Sequence, residues 1–370
     1  MGAPTTYCSG LLFADLAQTM ATHWIRRLGS KRSGFRYVDE TGRAVRDRRT
    51  LERIDALRVP PAWRDVHVAA TPRSSIQAWG FDARGRKQYR YNDLAVERRE
   101  LRKYYRVRAL ARALPRIRRE LRSLAARRDA DRDTVAAGVL RLISESFCRV
   151  GGERYVRENG TFGMTTLRKS HVDVEADCVH LEYMGKGNKR QHQVLVGREL
   201  AQLVARQLRT PGTRLFRYRD EVGWRDLTAR DVNEFLHERF GAQYSAKDFR
   251  TWGGTLRAAT VLAELGAAKS PTEGKRNVAL AMRLVSSELG NTPTICRKSY
   301  VHPMVLARYL DEGETIPLGR GRREAPDRGL AHSPEERALI AFLDRHFPER
   351  RRRPRPVDAE HATGRSRRAA

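Results

Sequence analysis

For so basic a chain, lysine is scarce. Only ten of its 73 Lys and Arg residues are lysines, at positions 31, 87, 103, 169, 186, 189, 247, 269, 275 and 298. Arginine holds its proton far more tightly than lysine, so a lysine here marks a candidate place where a proton-donating ammonium is wanted. Some of the ten must be ordinary surface residues. Cysteine is also sparse: Cys8, Cys148, Cys178 and Cys296 form no CxxC pair. That spacing argues against a zinc site and for a reducing compartment. Nowhere do eighteen apolar residues run together, which leaves no candidate membrane helix. The start MGAPTTYCSGLLFADLAQTM lacks the basic segment of a secretory signal, so a cytosolic protein is expected. GxxxxGK[ST] is absent, which excludes a P-loop, and there is no internal repeat and no clear carboxylate metal cluster.

What is present is positive charge. The 370 residues carry a formal charge of +29 with a pI near 10.9, and 40 % of them are hydrophobic. Length and hydrophobic content suffice for about two domains with cores of their own. The charge points to a polyanionic partner, nucleic acid first, bound through counterion release. The rival explanation is an arginine-rich composition that merely solvates the surface.

The pattern along the chain divides it. Residues 34–91 favour strands and turns, with Phe35 and Tyr37 two apart before an Asp-Glu-Thr-Gly turn and IQAWGFDARGRKQYRY reading as a hairpin. That hairpin carries Lys87, Tyr89, Arg90 and Tyr91, which suit either a nucleic-acid backbone or a half-exposed edge strand. From about residue 94 to 128 the chain turns helical and basic, with Pro115 as an interruption. Thr134 is the expected cap of the next helix, whose apolar face is Val135, Val139, Leu142, Ile143 and Phe147 and which Gly151-Gly152 should end. Residues 170–197 alternate as three strands, the last two joined by the turn Gly185-Lys186-Gly187-Asn188-Lys189. Ser245 and Asp248 form a capping box for a helix on which Lys247 and Arg250 share a face, and Gly253-Gly254 leave room for a close backbone approach. A further helix buries Val278, Met282, Val285 and Leu289 and closes at Gly290; Thr292 and Pro293 open a short one that presents Tyr300. Beyond about residue 318 the composition shifts to Arg, Pro and Gly, with one capped helix, SPEERALIAFLDRHF, before the arginine run 350–353 and a tail expected to be disordered.

A tyrosine that attacks a phosphodiester must lose a proton from a group with a pKa near 10, while negative charge builds on the phosphoryl oxygens. Two arginines and a further hydrogen-bond donor would stabilise that charge, and a lysine on a mobile loop would protonate the departing 5′-oxygen. Arg149, Lys186, Arg250, Asn291 and Tyr300 lie at the ends of separate elements and form such a set. Spacing alone leaves it one possibility among several, since any basic protein contains arginines and tyrosines.

The segments CRVGGERYVRENGTFGMTTL, MGKGNK, SAKDFRTWGG and LGNTPTICRKSYVHP, with GRKQYRYNDL and ALPRIRREL upstream, occur in an order and at separations that resemble the type IB DNA topoisomerases of the poxvirus and bacterial kind. The resemblance covers most of residues 20–310. It implies an α+β protein: a small β-rich N-terminal clamp domain (1–91), then a larger, mainly α-helical catalytic domain of the tyrosine recombinase/type IB topoisomerase kind with a small β-sheet (92–317). A basic extension (318–370) follows.

By position, the resemblance puts the nucleophile on Tyr300, catalytic arginines on Arg149 and Arg250, and the general acid on Lys186, with Lys189 the alternative if the register is misread. It makes Lys247, Tyr155, Tyr89, Tyr91 and Lys87 DNA contacts. Where many relatives have Leu-Gly-His this chain has Leu-Gly-Asn, so Asn291 donates a hydrogen bond to the phosphate but brings no charge. His302 is assigned to packing or to the phosphate's neighbourhood. The implied enzyme is a monomer on duplex DNA in the bacterial nucleoid, needing neither ATP nor metal. The rivals are a tyrosine recombinase, which usually carries His-x-x-Arg where this chain has Lys247-Asp248-Phe249-Arg250, and a noncatalytic DNA-binding relic of the scaffold.

Overall fold

The computed structural model describes residues 23–241, 243–319 and 330–348. The arginine run 350–353 and the tail after it lie outside the described residues. The chain is α+β and divides into two units between Lys103 and Tyr104.

The first unit is a five-stranded antiparallel sheet in the order β2-β1-β3-β4-β5, from β1 (Trp24–Ser30), β2 (Gly34–Val38), β3 (Arg64–Ala69), β4 (Ile76–Phe81) and β5 (Lys87–Tyr91). Ile25, Val66, Val68 and Ala78 supply its buried face, and Ile54 from α1 (Arg48–Ala56) completes the cluster. The strand pattern read from residue 34 onward picks out β2, β4 and β5 but not β1, β3 or α1. In β1, WIRRLGS, two arginines break the alternation that marks a half-buried strand. Helix α1 is short and carries one fully buried side chain, but Asp47 caps it through the Thr50 N–H.

The second unit is mainly helical and encloses one large hydrophobic cluster. Helix α2 (Asp93–Ala125), within which the division falls, runs through Pro115 without a break, contrary to the expected interruption. Leu110, Leu114, Ile117 and Leu121 recur at helical spacing around the proline and are fully buried. At about 1.5–3 kcal/mol per buried large apolar side chain, they outweigh the roughly 3 kcal/mol that an interior proline costs.

Helix α3 (Arg132–Ser146) lies at the centre of this core with Val135, Val139, Leu140 and Ile143 fully buried. Its cap is Asp131, which accepts from the Thr134 N–H, so Thr134 lies inside the first turn instead of capping it. The helix ends earlier than expected, at Phe147, which takes a left-handed conformation (φ 52°) and donates its N–H to the Ile143 carbonyl. After α4 (Glu153–Asn159) comes the small sheet β6-β7-β8: β6 (Val172–Glu175), β7 (Cys178–Gly185) and β8 (Lys189–Val196). Then follow α5 (Arg198–Leu208), the short pair β9 (Arg217–Arg219) and β10 (Trp224–Asp226), and α6 (Ala229–Phe240).

The helices α7 (Ala246–Leu265), α8 (Pro271–Glu288), α9 (Pro293–Ser299) and α10 (Pro303–Glu312) complete the body, with α11 (Pro334–His346) after them. Their caps are those expected: the Ser245–Asp248 box on α7, Thr292 with Pro293 on α9, and a Ser333–Glu336 box on α11. Among the described residues no helix is long and apolar enough to cross a membrane.

Candidate active site

Arg149 follows α3 by three residues on an extended stretch, not on the helix end. The Met164 N–H donates to the Arg149 carbonyl at 2.8 Å and the Thr165 N–H to the Val150 carbonyl at 2.7 Å. Two glycines permit this crossing. A Cβ on Gly163 would fall 2.6 Å from the backbone of Gly151 and 2.7 Å from the Arg149 carbonyl oxygen, while Gly151 itself takes φ +101°. The stretch aims the Arg149 guanidinium at the loop after α8, where it donates to the Asn291 Oδ1 and, at 3.5 Å, to the Gly290 carbonyl.

Arg250 comes from the first turns of α7 and is 3 % exposed. It donates to the Phe147 carbonyl at 2.6 Å and to the Leu289 carbonyl, which ties α7 to the end of α3 and to the end of α8. Asp248, buried beside it, receives both arms of Arg106 at 2.9 Å and closes the capping box. The glycines expected to allow a close approach do so on two sides. A Cβ on Gly253 would meet the Phe147 ring at 2.4 Å, and one on Gly254 the Tyr300 carbonyl at 2.9 Å.

Tyr300 ends α9, its N–H bonded to the Cys296 carbonyl. The Thr255 hydroxyl, whose shorter bond at 2.8 Å is to the Thr251 carbonyl, also lies 3.2 Å from the Tyr300 carbonyl. The ring is buried, with its centroid 4.8 Å from the Arg250 guanidinium carbon. Burial pushes the phenol up, but Arg250, Arg149 and Lys247 more than offset it and hold Tyr300 below its ordinary value. The same crowding lowers Arg250, through burial first and Arg149 second. Two buried donors of this region, the Asn291 Nδ2 and the Arg250 Nε, make no hydrogen bond of good geometry to the protein, although Arg250 lies close enough to Tyr300 to stabilise its phenolate. The Asn291 oxygen is occupied by Arg149, so it is the amide NH2 that remains to donate.

A cavity of about 270 Å³ opens at this point, lined by Arg149, Arg250, Tyr300, Lys247, Lys186 and Tyr155. Lys186 stands exposed at the tip of the β7–β8 hairpin with its ammonium 5.3 Å from the Tyr155 ring centroid. Lys189, at the base of the same turn, donates to the Asn291 backbone carbonyl. Gln191 is wedged behind it: a Cβ on Gly290 would lie 2.3 Å from its amide, and one on Gly185 2.8 Å from its side chain. Lys247 is exposed at the cavity mouth.

The structure thus brings Arg149, Arg250, Asn291 and Tyr300 into one cage, with Lys186, Lys247 and Tyr155 around its opening. Lys87, Tyr89 and Tyr91 belong to the first unit. There they point to one face of the edge strand β5, where the two tyrosine rings stack at 5.8 Å and the Lys87 ammonium lies 3.7 Å from the Trp79 centroid. Both tyrosines are about two-fifths exposed, at 40 % and 38 %.

Residues 86–317, more than half of the chain, match the family model for the catalytic core of eukaryotic DNA topoisomerase I. The DNA topoisomerase 1B of Acanthamoeba polyphaga mimivirus is 31 % identical over 272 residues, 71 % of this chain and 81 % of that protein. The chain belongs to the type IB DNA topoisomerases. Its first unit fits the same assignment: residues 34–82 match the N-terminal domain model of bacterial DNA topoisomerase IB. The DNA topoisomerase 1B of Vaccinia virus (strain Copenhagen) is 24 % identical over 239 residues, 63 % of this chain and 72 % of that protein. Among solved structures, the XerH site-specific recombinase bound to palindromic difH substrate aligns with a TM-score of 0.33 and 15 % identity over 50 % of this chain and 47 % of that one, too slight a likeness to bear on function.

Several residues that shape this topoisomerase's cavity escaped the sequence reading. Gly163, Gln191 and Arg106 each act at a distance in sequence from the residue they serve: 163 on 151, 191 on 290, 106 on 248. No local periodicity or turn signal encodes such pairings. His302 is buried, its Nδ1 accepting from the Met304 N–H at the start of α10 and its ring packed on Tyr104, which is a packing position.

Proposed function

We propose that this topoisomerase relaxes positive and negative supercoils through Tyr300, without ATP or metal. The Tyr300 Oη, its proton given up to solvent, attacks a backbone phosphorus of one strand. The bond from phosphorus to the 5′-oxygen breaks, a 3′-phosphotyrosyl link forms, and Lys186 delivers a proton to the departing oxygen. Arg149, Arg250 and Asn291 bind the two non-bridging oxygens, with Lys247 adding positive charge at the mouth. Torsion swivels the cut strand about its partner. The 5′-hydroxyl then attacks the phosphotyrosine, returns its proton to Lys186 and restores the backbone. One phosphodiester replaces another, so the reaction needs no external energy, and fixed cations supply the charge stabilisation that metal ions give other phosphoryl-transfer enzymes.

The observation that carries this reading is a phenol held below its ordinary pKa by Arg250 and Arg149 in the wall of a cavity that both arginines and Lys186 also line, with the Arg250 Nε buried and making no hydrogen bond of good geometry to the protein. A buried donor without an acceptor costs about 1–3 kcal/mol. A phosphoryl oxygen in the cavity would relieve that cost at Arg250, which lines it. We further infer a monomeric enzyme acting on the bacterial nucleoid, with Tyr155, Lys87, Tyr89 and Tyr91 on the DNA backbone.

The test is relaxation of negatively supercoiled plasmid in EDTA without ATP, wild type against Tyr300→Phe. The wild type should relax the plasmid, and the variant should bind DNA but neither relax it nor form a covalent adduct. Equal relaxation by both proteins would remove Tyr300 from the reaction, and relaxation that vanishes in EDTA would remove the metal-free mechanism.

A further inference from the structure

The segment matched to the topoisomerase catalytic core ends at residue 317, yet the chain returns to the helical body over residues 330–348. Helix α11 is no loose appendage. Leu339, Phe342 and Leu343 enter the main hydrophobic cluster, and Glu336, in principle only a capping residue, is 3 % exposed. Its carboxylate has three sets of partners. It accepts the Ser333 N–H at 3.0 Å, both arms of Arg118 on α2 at 2.8 and 2.9 Å, and the Trp252 indole N–H on α7 at 3.2 Å. Burial pushes the carboxyl up; Arg118, Ser333 and Trp252 hold it below its usual range.

Trp252 is two residues after Arg250, about 200° round the same helix. Glu336 therefore fastens the back of α7 where Arg250 faces the cavity. The far end of α11 reaches the other half of the cage. The Phe347 ring stands edge-on to His302 with centroids 4.7 Å apart, and Arg108 donates to the Phe347 carbonyl. His302 begins α10 two residues after Tyr300, and the Tyr104 hydroxyl holds the Val301 carbonyl between them at 3.1 Å. One segment thus touches, from behind, both elements that set the distance between Arg250 and Tyr300.

We propose that residues 330–348 are a positioning strap for DNA cleavage. Glu336 acts on Arg250 through Trp252, and Phe347 acts on Tyr300 through His302. The proposal rests on the assignment of Tyr300 and Arg250 made above. A fixed guanidinium stabilises a phenolate and the phosphoryl charge better than one whose helix can shift, and small displacements of catalytic groups are costly.

The test uses the full chain with Trp252→Phe, Glu336→Gln, the double variant and the milder Phe347→Ala, with Tyr300→Phe alongside. Single-turnover cleavage of a bound DNA duplex should fall about tenfold in each of the first two, with DNA affinity unchanged. Glu336→Gln keeps an oxygen that can accept the indole N–H but breaks the charged clamp with Arg118, so the double variant should lose less than the two singles combined, since both loosen α7 at Trp252. The alkaline rise of the cleavage rate should move to higher pH as Arg250 loosens against Tyr300, a shift that lost stability alone does not produce. Should Glu336→Gln fail to fold, Phe347→Ala carries the test. Wild-type cleavage and pH profiles in folded variants, with only a lowered Tm, would overturn the strap. Cleavage persisting in Tyr300→Phe would instead overturn the site on which it rests.

Discussion

The cage and the hairpin beside it solve opposite problems. Arg250, Asn291 and Tyr300 are each less than a tenth exposed and are tied to backbone carbonyls or hydroxyls of neighbouring helices. Lys186 stands on a two-glycine turn in solvent, with its ammonium over the Tyr155 ring. Electrostatic stabilisation is strongest when the donors need no reorganisation, which favours the buried set. A proton donor must approach a leaving group that exists only when DNA is bound, and then withdraw, which favours the exposed one. On the proposed mechanism, the site would then combine groups fixed before the substrate arrives with one that is placed afterwards.

That contrast breaks most sharply at Arg250. Arg250→Ala should slow single-turnover cleavage about 10³-fold or more. Arg250→Lys should recover little, since one ammonium cannot replace a fork bonded to two carbonyls. Lys186→Ala should cost about 10²–10⁴-fold on ordinary DNA. With sulfur in place of the 5′-bridging oxygen the leaving group departs without a proton. Lys186→Ala should then regain most of its rate, whereas Arg250→Ala should not. Rescue of both variants, or of neither, would mean that the two regions do not differ as described.

Asn291→Ala should lower cleavage by about 10²-fold, and Asn291→Asp by more, because a carboxylate would face the phosphate and draw Arg149 to itself. With Tyr300 as the proposed nucleophile the reactive form is the phenolate, so cleavage should rise with pH until the depressed Tyr300 pKa is passed. Lys247→Ala removes a cation that holds the phenol down and should shift that rise to higher pH, by less than Arg149→Ala does. A rate profile unmoved by either change would disconnect the cations from the tyrosine. The smallest effect belongs to the first unit. Lys87→Ala should reduce the slope of log affinity against log salt by about one and leave cleavage of bound DNA as it was.

Much of this molecule was legible because its signals are local. Glycines flank the 185–189 turn, Ser245 and Asp248 bracket one helix start, and Thr292-Pro293 open another; each pattern acts within a few residues. The elements misread were those governed by distant partners. Pro115 continues a helix because the core holds leucines and an isoleucine around it, β1 is recruited by its neighbours β2 and β3, and Phe147 ends α3 in a left-handed turn before the glycines are reached. The candidate site was located by its resemblance to a family more than by spacing. What no reading of spacing supplied is its internal wiring: the Asn291 oxygen spent on Arg149, the Lys189 ammonium on the Asn291 carbonyl, and the Arg106 fork on Asp248.

The anchoring of the Tyr300 peptide has a mechanical side. Its N–H is held by Cys296, its carbonyl lies against the Thr255 hydroxyl, and Gly254 of α7 packs directly against it. In the covalent state one strand of DNA would hang from this residue while the helix below unwinds, and the torque would pass through the tyrosine ring into the main chain. Because that peptide is gripped on both sides, the twist would be taken up by the free strand and the rotating duplex, and the protein would serve as the fixed end of the swivel.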